Sequence, residues 1–219
     1  ANPKLRAVLL RGEGKHFQAG ADLKWIRGVS SASADENERV SRATGAAVDR
    51  LNRLPVPTVA LVQGGCFGGG TGIVSACDVV IAADNALFSI SEVRWGLTAA
   101  IIIPQLSDAI SARQLRRYAL TSERFDAQEA YRIGLVHKVV PLAELASAGA
   151  AMINQLLENG SIAMKETKAH ILESAWGGFD EGAFDALVRS HAAKRRSQEG
   201  AEGLASFVEK RPARWAPAK

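Results

Sequence analysis

Two loops of small residues and one glutamate are where this sequence could do chemistry. The first loop is the glycine cluster Gly64–Gly72 (GGCFGGGTG), which follows the apolar run Thr58–Val62 (TVALV). It fits neither the dinucleotide pattern G-x-G-x-x-G nor the P-loop, because no lysine follows the glycines. What remains is a strand, a turn and a helix opening at Gly68-Gly69-Gly70. Glycines let a ligand approach the backbone with no Cβ in the way. A helix start adds unpaired N–H groups and a partial positive charge. Such a place suits an oxyanion, or else simply close packing of helix on strand. The second loop, Ala19-Gly20-Ala21-Asp22, has the same character, and its aspartate could equally cap the helix that follows. Glu92 lies in the apolar and small-residue stretch FSISEVRWG. It is either a salt-bridge partner of nearby Arg94 or a carboxyl group whose pKa burial raises until it can shuttle protons.

Other chemistries find little support. His16, His137, His170 and His191 are scattered, with no metal pair and no nucleophile–base spacing, so they read as structural or surface residues. No G-x-S-x-G elbow is present. Cys66 and Cys77 read as reduced, small apolar residues, which fits a cytoplasmic setting.

The elements that must position these loops can be read from patterning. Arg6–Arg11 (RAVLLR) is expected to be a buried strand, as are TVALV, Val79–Ala82 and Ala86–Ile90. A helix is expected over Asp35–Leu54, capped by Ser33 or Asp35 and stopped by Pro55. A short helix should follow the glycines and end near Ala76. Helix dominates from Gln105, and Asp126 should cap a helix that Gly134 stops. Leu135–Val140 returns to strand. Three amphipathic helices are then expected, at about Ala143–Glu158, Ser161–Ala175 and Asp180–Arg196, and a last one at about Glu199–Lys210. Strands alternating with helices indicate an α/β layered fold. The composition shift near Pro141 suggests a core at 1–141 and a helical region at 142–219, the latter suited to oligomerisation.

With 219 residues, 47% hydrophobic and 23% charged, the chain can bury a sizeable core. No apolar run approaches the roughly 20 residues of a membrane span. The net charge of +4 owes much to Lys194-Arg195-Arg196, Lys210-Arg211 and Arg214. This is a solvated helical face or a site for an anionic partner. No aromatic-interleaved basic motif supports nucleic acid.

Taken in order, RAVLLRGEGKHFQAGADLK, PTVALVQGGCFGGGTGIVSACDVVIAADNALFSISEVRWGL, LTSERFDAQEAYRIGLVHKVVP and EGLASFVEKR resemble the crotonase (enoyl-CoA hydratase/isomerase) superfamily over nearly the whole chain. The resemblance implies a spiral β/α core with C-terminal helices that form trimers or dimers of trimers. It implies an acyl-CoA thioester as substrate, with coenzyme A entering only as part of it, and no metal or redox cofactor. It implies that the N–H groups of Ala21 and Gly69 hold the thioester oxygen. Ala19, Asp22, Leu23, Lys24, Gly68 and Arg94 would line the acyl site, and Phe207 and Lys210 would reach coenzyme A.

Hydratases of the family use two glutamates. Here Gly72 stands at the first position and Glu92 at the second, so one carboxylate remains. The segments SEVRWGL and RWGLTAAIIIPQL look like those of hydratases for branched glutaconyl-CoA thioesters, whose extra carboxylate Arg94 or Lys24 could bind. A double-bond isomerase and a non-catalytic, RNA-binding relative are the alternatives. Family members usually begin about one βαβ unit earlier, so part of the usual fold is expected to be missing ahead of this sequence, leaving an open sheet edge.

Overall fold

The computed structural model describes residues 4–177, 182, 188–189, 193–194 and 197–217. Two compact units emerge. One comprises 9–52 and 58–150, the other 1–8, 53–57 and 151–219. The chain passes between these units at 150/151, and the second unit also takes in two short upstream segments. The reason is local. The first turns of the helix after Pro141 belong to the core: Leu145 is buried, and Gly149 lies so close to Leu61 that a Cβ would come within 2.6 Å of its side chain.

Strands β1 (Val8–Arg11), β2 (Thr58–Val62), β4 (Val79–Ala83) and β7 (Lys138–Val140) form a sheet in the order β1-β2-β4-β7. β2 and β4 run parallel with Val59 opposite Val79, and β4 and β7 parallel with Ile81 opposite Lys138. Every residue of β2 is buried, as its unbroken apolar run requires of a strand covered on both faces. β1 was expected to be buried too. It instead alternates half-buried and exposed residues, because it lies at the edge of this sheet.

A second sheet orders β3 (Gly65–Phe67), β5 (Leu87–Ser89) and β6 (Phe125–Asp126), with β3 and β5 parallel and β6 antiparallel to β5. Here the expectation of a tight loop over Gly64–Gly72 is corrected: three of its residues pair as a strand. The core between the layers is filled by Val62, Val74, Val80, Phe88, Ile90, Leu106, Ile110 and Tyr118. Phe125 stacks on Phe88 at 5.6 Å.

Helices α1 (Leu23–Ser30), α2 (Ala34–Asn52), α3 (Gly69–Ser75), α4 (Ile103–Thr121) and α5 (Ala127–Arg132) complete the larger unit. Their starts follow the sequence signals. Ser33 Oγ accepts the Glu36 N–H (3.2 Å), and Asp126 accepts the Glu129 N–H (2.8 Å).

α6 (Leu145–Leu157) carries the chain into the helical unit, which holds α7 (Ser161–Gly177) and α8 (Gln198–Val208). The helix expected over Asp180–Arg196 falls mostly outside the described residues, as do His191, Arg195 and Arg196. α7 is not the amphipathic helix expected. It has no buried residue, because its apolar side chains are spread around the helix, and Ile162 and Ile171 face solvent. Polar contacts tie this unit together. The Arg6 guanidinium donates to the carbonyls of Leu157, Asn159 and Trp215. Glu199 accepts the N–H groups of Ile162 (2.9 Å) and Ala163 (2.7 Å) at the start of α7. Among the described residues no helix is long and apolar enough to cross a membrane.

Candidate functional site

The parallel β3–β5 pair and a bridge beside it bring the two predicted loops and Glu92 to one place. Phe67 lies opposite Ser89 in the β3–β5 pair, and Gln18 forms a parallel bridge with Cys66 on the other side of β3. The segments that follow Gln18, β3 and β5 therefore emerge at one end of the sheet. They are Ala19–Asp22, Gly68–Gly70 and Ser91-Glu92. Carboxyl ends of parallel strands are the usual ligand-binding edge of such sheets.

Glu92 opens a short 3-10 helix, Glu92–Trp95, rather than closing a strand. The Gly68 N–H donates to the Ser89 carbonyl (2.9 Å), which fixes the glycine turn against the chain that leads to Glu92. A Cβ at Gly68 would sit 3.3 Å from Glu92 Oε1, and Gly68 has φ +54°, a conformation L side chains rarely adopt. The positive φ is what favours glycine here, and a Cβ would in addition crowd the Glu92 carboxylate. Burial pushes the Glu92 carboxyl above the ordinary carboxylate range, against the pull of the backbone N–H groups of Glu92 and Ser91. Its Oε2 is buried and has no hydrogen-bond partner among the described residues. Arg94 is exposed and forms no ion pair with Glu92 among them, so the salt-bridge reading of Glu92 fails.

Both residues expected to supply the amide donors are exposed. Gly69 is exposed between buried Gly68 and Gly70, and nothing lies within 4 Å of where its Cβ would be. As the first residue of α3, its N–H has no intrahelical acceptor. Ala21 is exposed as well. Asp22 does what the structural alternative held: its Oδ1 accepts the N–H groups of Lys24 (2.7 Å) and Trp25 (2.9 Å) and caps α1. Leu23 and Lys24 form the first turn of that helix, with Lys24 exposed, and Ala19 is exposed in the loop before it.

Gly72 is buried under Ile102. A Cβ there would come within 2.3 Å of Ile102 Cγ2, so no side chain fits while Ile102 keeps its place. Sequence reasoning missed Ile102, whose segment is far from the glycines in the chain. It also missed Gln18, whose carboxamide contacts both small-residue loops. A polar residue directly before AGAD was the available signal.

Phe207 and Lys210 lie in the helical unit. Phe207 is 83% exposed. Lys210 lines a cleft of about 640 Å³ with Asn154, Glu158 and Arg211. Three of the tail's basic residues are neutralised within the unit. Lys194 pairs with Glu166 and Glu199, and Arg211 and Arg214 with Glu202. This weakens the case for an RNA-binding face. Two histidines act structurally: His16 Nδ1 accepts the Gly65 N–H (2.8 Å) and His137 Nδ1 that of Val80 (3.0 Å). Among the described residues no group of histidine, cysteine and acidic side chains could hold a metal ion.

Comparison with known proteins gives the family and the fold. The sequence profile of the family described as Enoyl-CoA hydratase/isomerase matches residues 1–218. The chain is 32% identical to the crotonyl-CoA hydratase of Syntrophomonas wolfei, covering 98% of this chain and 82% of that protein. It is also 32% identical to the mitochondrial Delta(3,5)-Delta(2,4)-dienoyl-CoA isomerase of Dictyostelium discoideum, covering 95% of this chain and 74% of the relative. The crystal structure of an enoyl-CoA hydratase from Shewanella pealeana superposes with a TM-score of 0.93 at 36% identity, over 98% of this chain and 80% of that one. This chain belongs to the enoyl-CoA hydratase/isomerase family and has its crotonase-like α/β fold.

Proposed function

We propose that this chain is an enoyl-CoA hydratase-type lyase that adds water to a branched, 3-substituted glutaconyl-CoA thioester, the isohexenyl or the methyl compound. The observation that carries the reading is the half-buried Glu92 carboxylate, with no cation beside it and Oε2 unpartnered among the described residues, next to the open Gly69 amide. Glu92 takes a proton from water as the oxygen bonds to the β-carbon. Charge moves to the thioester oxygen, where the Ala21 and Gly69 N–H groups receive it. Glu92 then returns the proton to the α-carbon. One oxyanion donor is commonly worth roughly 3–4 kcal/mol of barrier.

Arg94 and Lys24 are the cations proposed for the substrate's second carboxylate, since both are exposed and neither forms an ion pair among the described residues. Ala19, Asp22, Leu23 and Gly68 would line the acyl site. Phe207 and Lys210 would meet coenzyme A, with Lys210 at a phosphate. A homotrimer or dimer of trimers belongs to the same reading, supported by exposed Leu204, Phe207 and Val208 on α8.

The Ile102-covered Gly72 favours a second reading, a double-bond isomerase, because one carboxylate suffices to move a proton between carbons. Turnover of crotonyl-, methylglutaconyl- and isohexenylglutaconyl-CoA in heavy-oxygen water separates the two. Label in the product with preference for a glutaconyl thioester is expected. A shifted double bond without label would replace hydration by isomerisation.

A further inference from the structure

An oxyanion hole needs two N–H groups held at a fixed separation, yet the two proposed here sit on loops far apart in sequence. One side chain touches both loops. Gln18 is fixed first by its backbone: its N–H donates to Gly65 O (3.1 Å) and its carbonyl accepts the Phe67 N–H (2.9 Å). Its side chain then folds over the small-residue loops. Gln18 Oε1 accepts the Gly20 N–H at 2.9 Å. On the other side a Cβ at Gly70 would stand 2.8 Å from that same Oε1 and 3.0 Å from Gln18 Cβ. Gly20 has φ +113°, so the bond to Gln18 pins a backbone that is otherwise free to turn, one residue before Ala21.

We propose that Gln18 is a positioning residue that sets the separation of the Ala21 and Gly69 amides by clamping the Gly20 peptide against Gly70. The proposal rests on the oxyanion reading given above. Gln18 itself touches no reacting atom. Its side chain is long enough to return to Gly20, and its neutral oxygen accepts an N–H without adding negative charge beside a developing enolate. A misplacement of about 1 Å can cost on the order of 100-fold in rate.

The test uses the full chain and two readouts: steady-state kinetics on the best enoyl-CoA substrate, and the absorption shift of bound cinnamoyl-CoA, which reports polarisation of the thioester carbonyl. Gln18→Met keeps length and shape but loses the strong acceptor. It should lower kcat about 10- to 100-fold with KM changed less than about threefold, and it should diminish the red shift. Gly70→Ala, which crowds the same carboxamide from α3, should do likewise and serves if Gln18→Met does not fold. If wild type shifts the chromophore and both soluble variants match it in shift and kcat, the Gln18 assignment is overturned while the oxyanion reading stands. If wild type itself gives no shift, the oxyanion reading falls and this proposal with it.

Discussion

Glu92 and Glu202 show how differently the two units treat one side chain. In the helical unit Glu202 accepts from Arg211 Nη1 (2.7 Å), from the Arg214 backbone N–H (2.9 Å) and lies 3.3 Å from Arg214 Nε. The Arg211 guanidinium holds its carboxyl well below the usual range, at about 2. In the α/β unit Glu92 has no cation beside it among the described residues, and burial moves its carboxyl the other way. The first arrangement stabilises the folded chain by satisfying a charge. The second leaves a charge poorly satisfied, which costs stability and is found where a proton has to move.

The largest expected effect breaks this comparison at Glu92. Glu92→Gln should lower kcat by roughly 10²–10⁴ without lowering Tm, since the change removes a charge that no described residue neutralises. The mirror variant, Glu202→Gln, should lower Tm and leave kcat in place. Rate and melting measurements on both proteins check it. A fully active Glu92→Gln enzyme would end its assignment as the proton carrier.

The comparison can be sharpened by trying to put a second carboxylate beside the first. Gly72→Glu should cost about 1–3 kcal/mol or more from overpacking, because Ile102 Cγ2 already lies 2.3 Å from the position of a Cβ. Adding Ile102→Ala should relieve part of that cost, giving a coupling of roughly 0.5–3 kcal/mol in a double-mutant cycle read by denaturant unfolding. Strict additivity would show that Ile102 is not what fills the space. A smaller effect is expected at the exposed cations. Arg94→Ala or Lys24→Ala should cut the preference for a glutaconyl over a crotonyl thioester by about tenfold, or roughly 1.4 kcal/mol, as kcat/KM on both substrates will report. An unchanged preference in both variants would remove the reason for assigning a dicarboxylate.

How legible this was in the sequence depended on range. Caps at Ser33 and Asp126, the strand TVALV and the helix after the glycines are local signals, and the structure carries them. Ala21, Gly69 and Glu92 were legible as candidates because small residues after apolar runs, and a lone acid in an apolar stretch, are visible in one dimension. Partners from distant segments were not. β3 reads as a loop because Gly65-Cys66-Phe67 has no strand pattern and becomes a strand only by pairing with β5. Ile102 over Gly72 is a contact across 30 residues, and no local pattern announces it. Whether Glu92 would meet Arg94 also depended on where a short 3-10 helix points its successive side chains, which spacing alone did not decide.

The smallest effect is on acid stability, where the two glutamates should act with opposite signs. Glu202 titrates lower in the folded chain, near 2, than the ordinary 4.5. Its contribution is therefore fully present above about 4.5 and is lost as pH falls toward 2. Glu92 titrates higher when folded, so it favours the folded state below 4.5 and that help fades as pH rises through its raised pKa. Melting curves from pH 7 down to 2 should thus show Glu202→Gln flattening the acid loss of stability. Glu92→Gln should instead gain most relative to wild type at the neutral end, where the wild-type carboxylate is ionised. The same raised pKa should place the acid limb of kcat/KM above the ordinary carboxylate range, because water activation requires the ionised form. A limb at or below 4.5, with both melting profiles unchanged, would mean that the two carboxylates do not differ in the way their surroundings require.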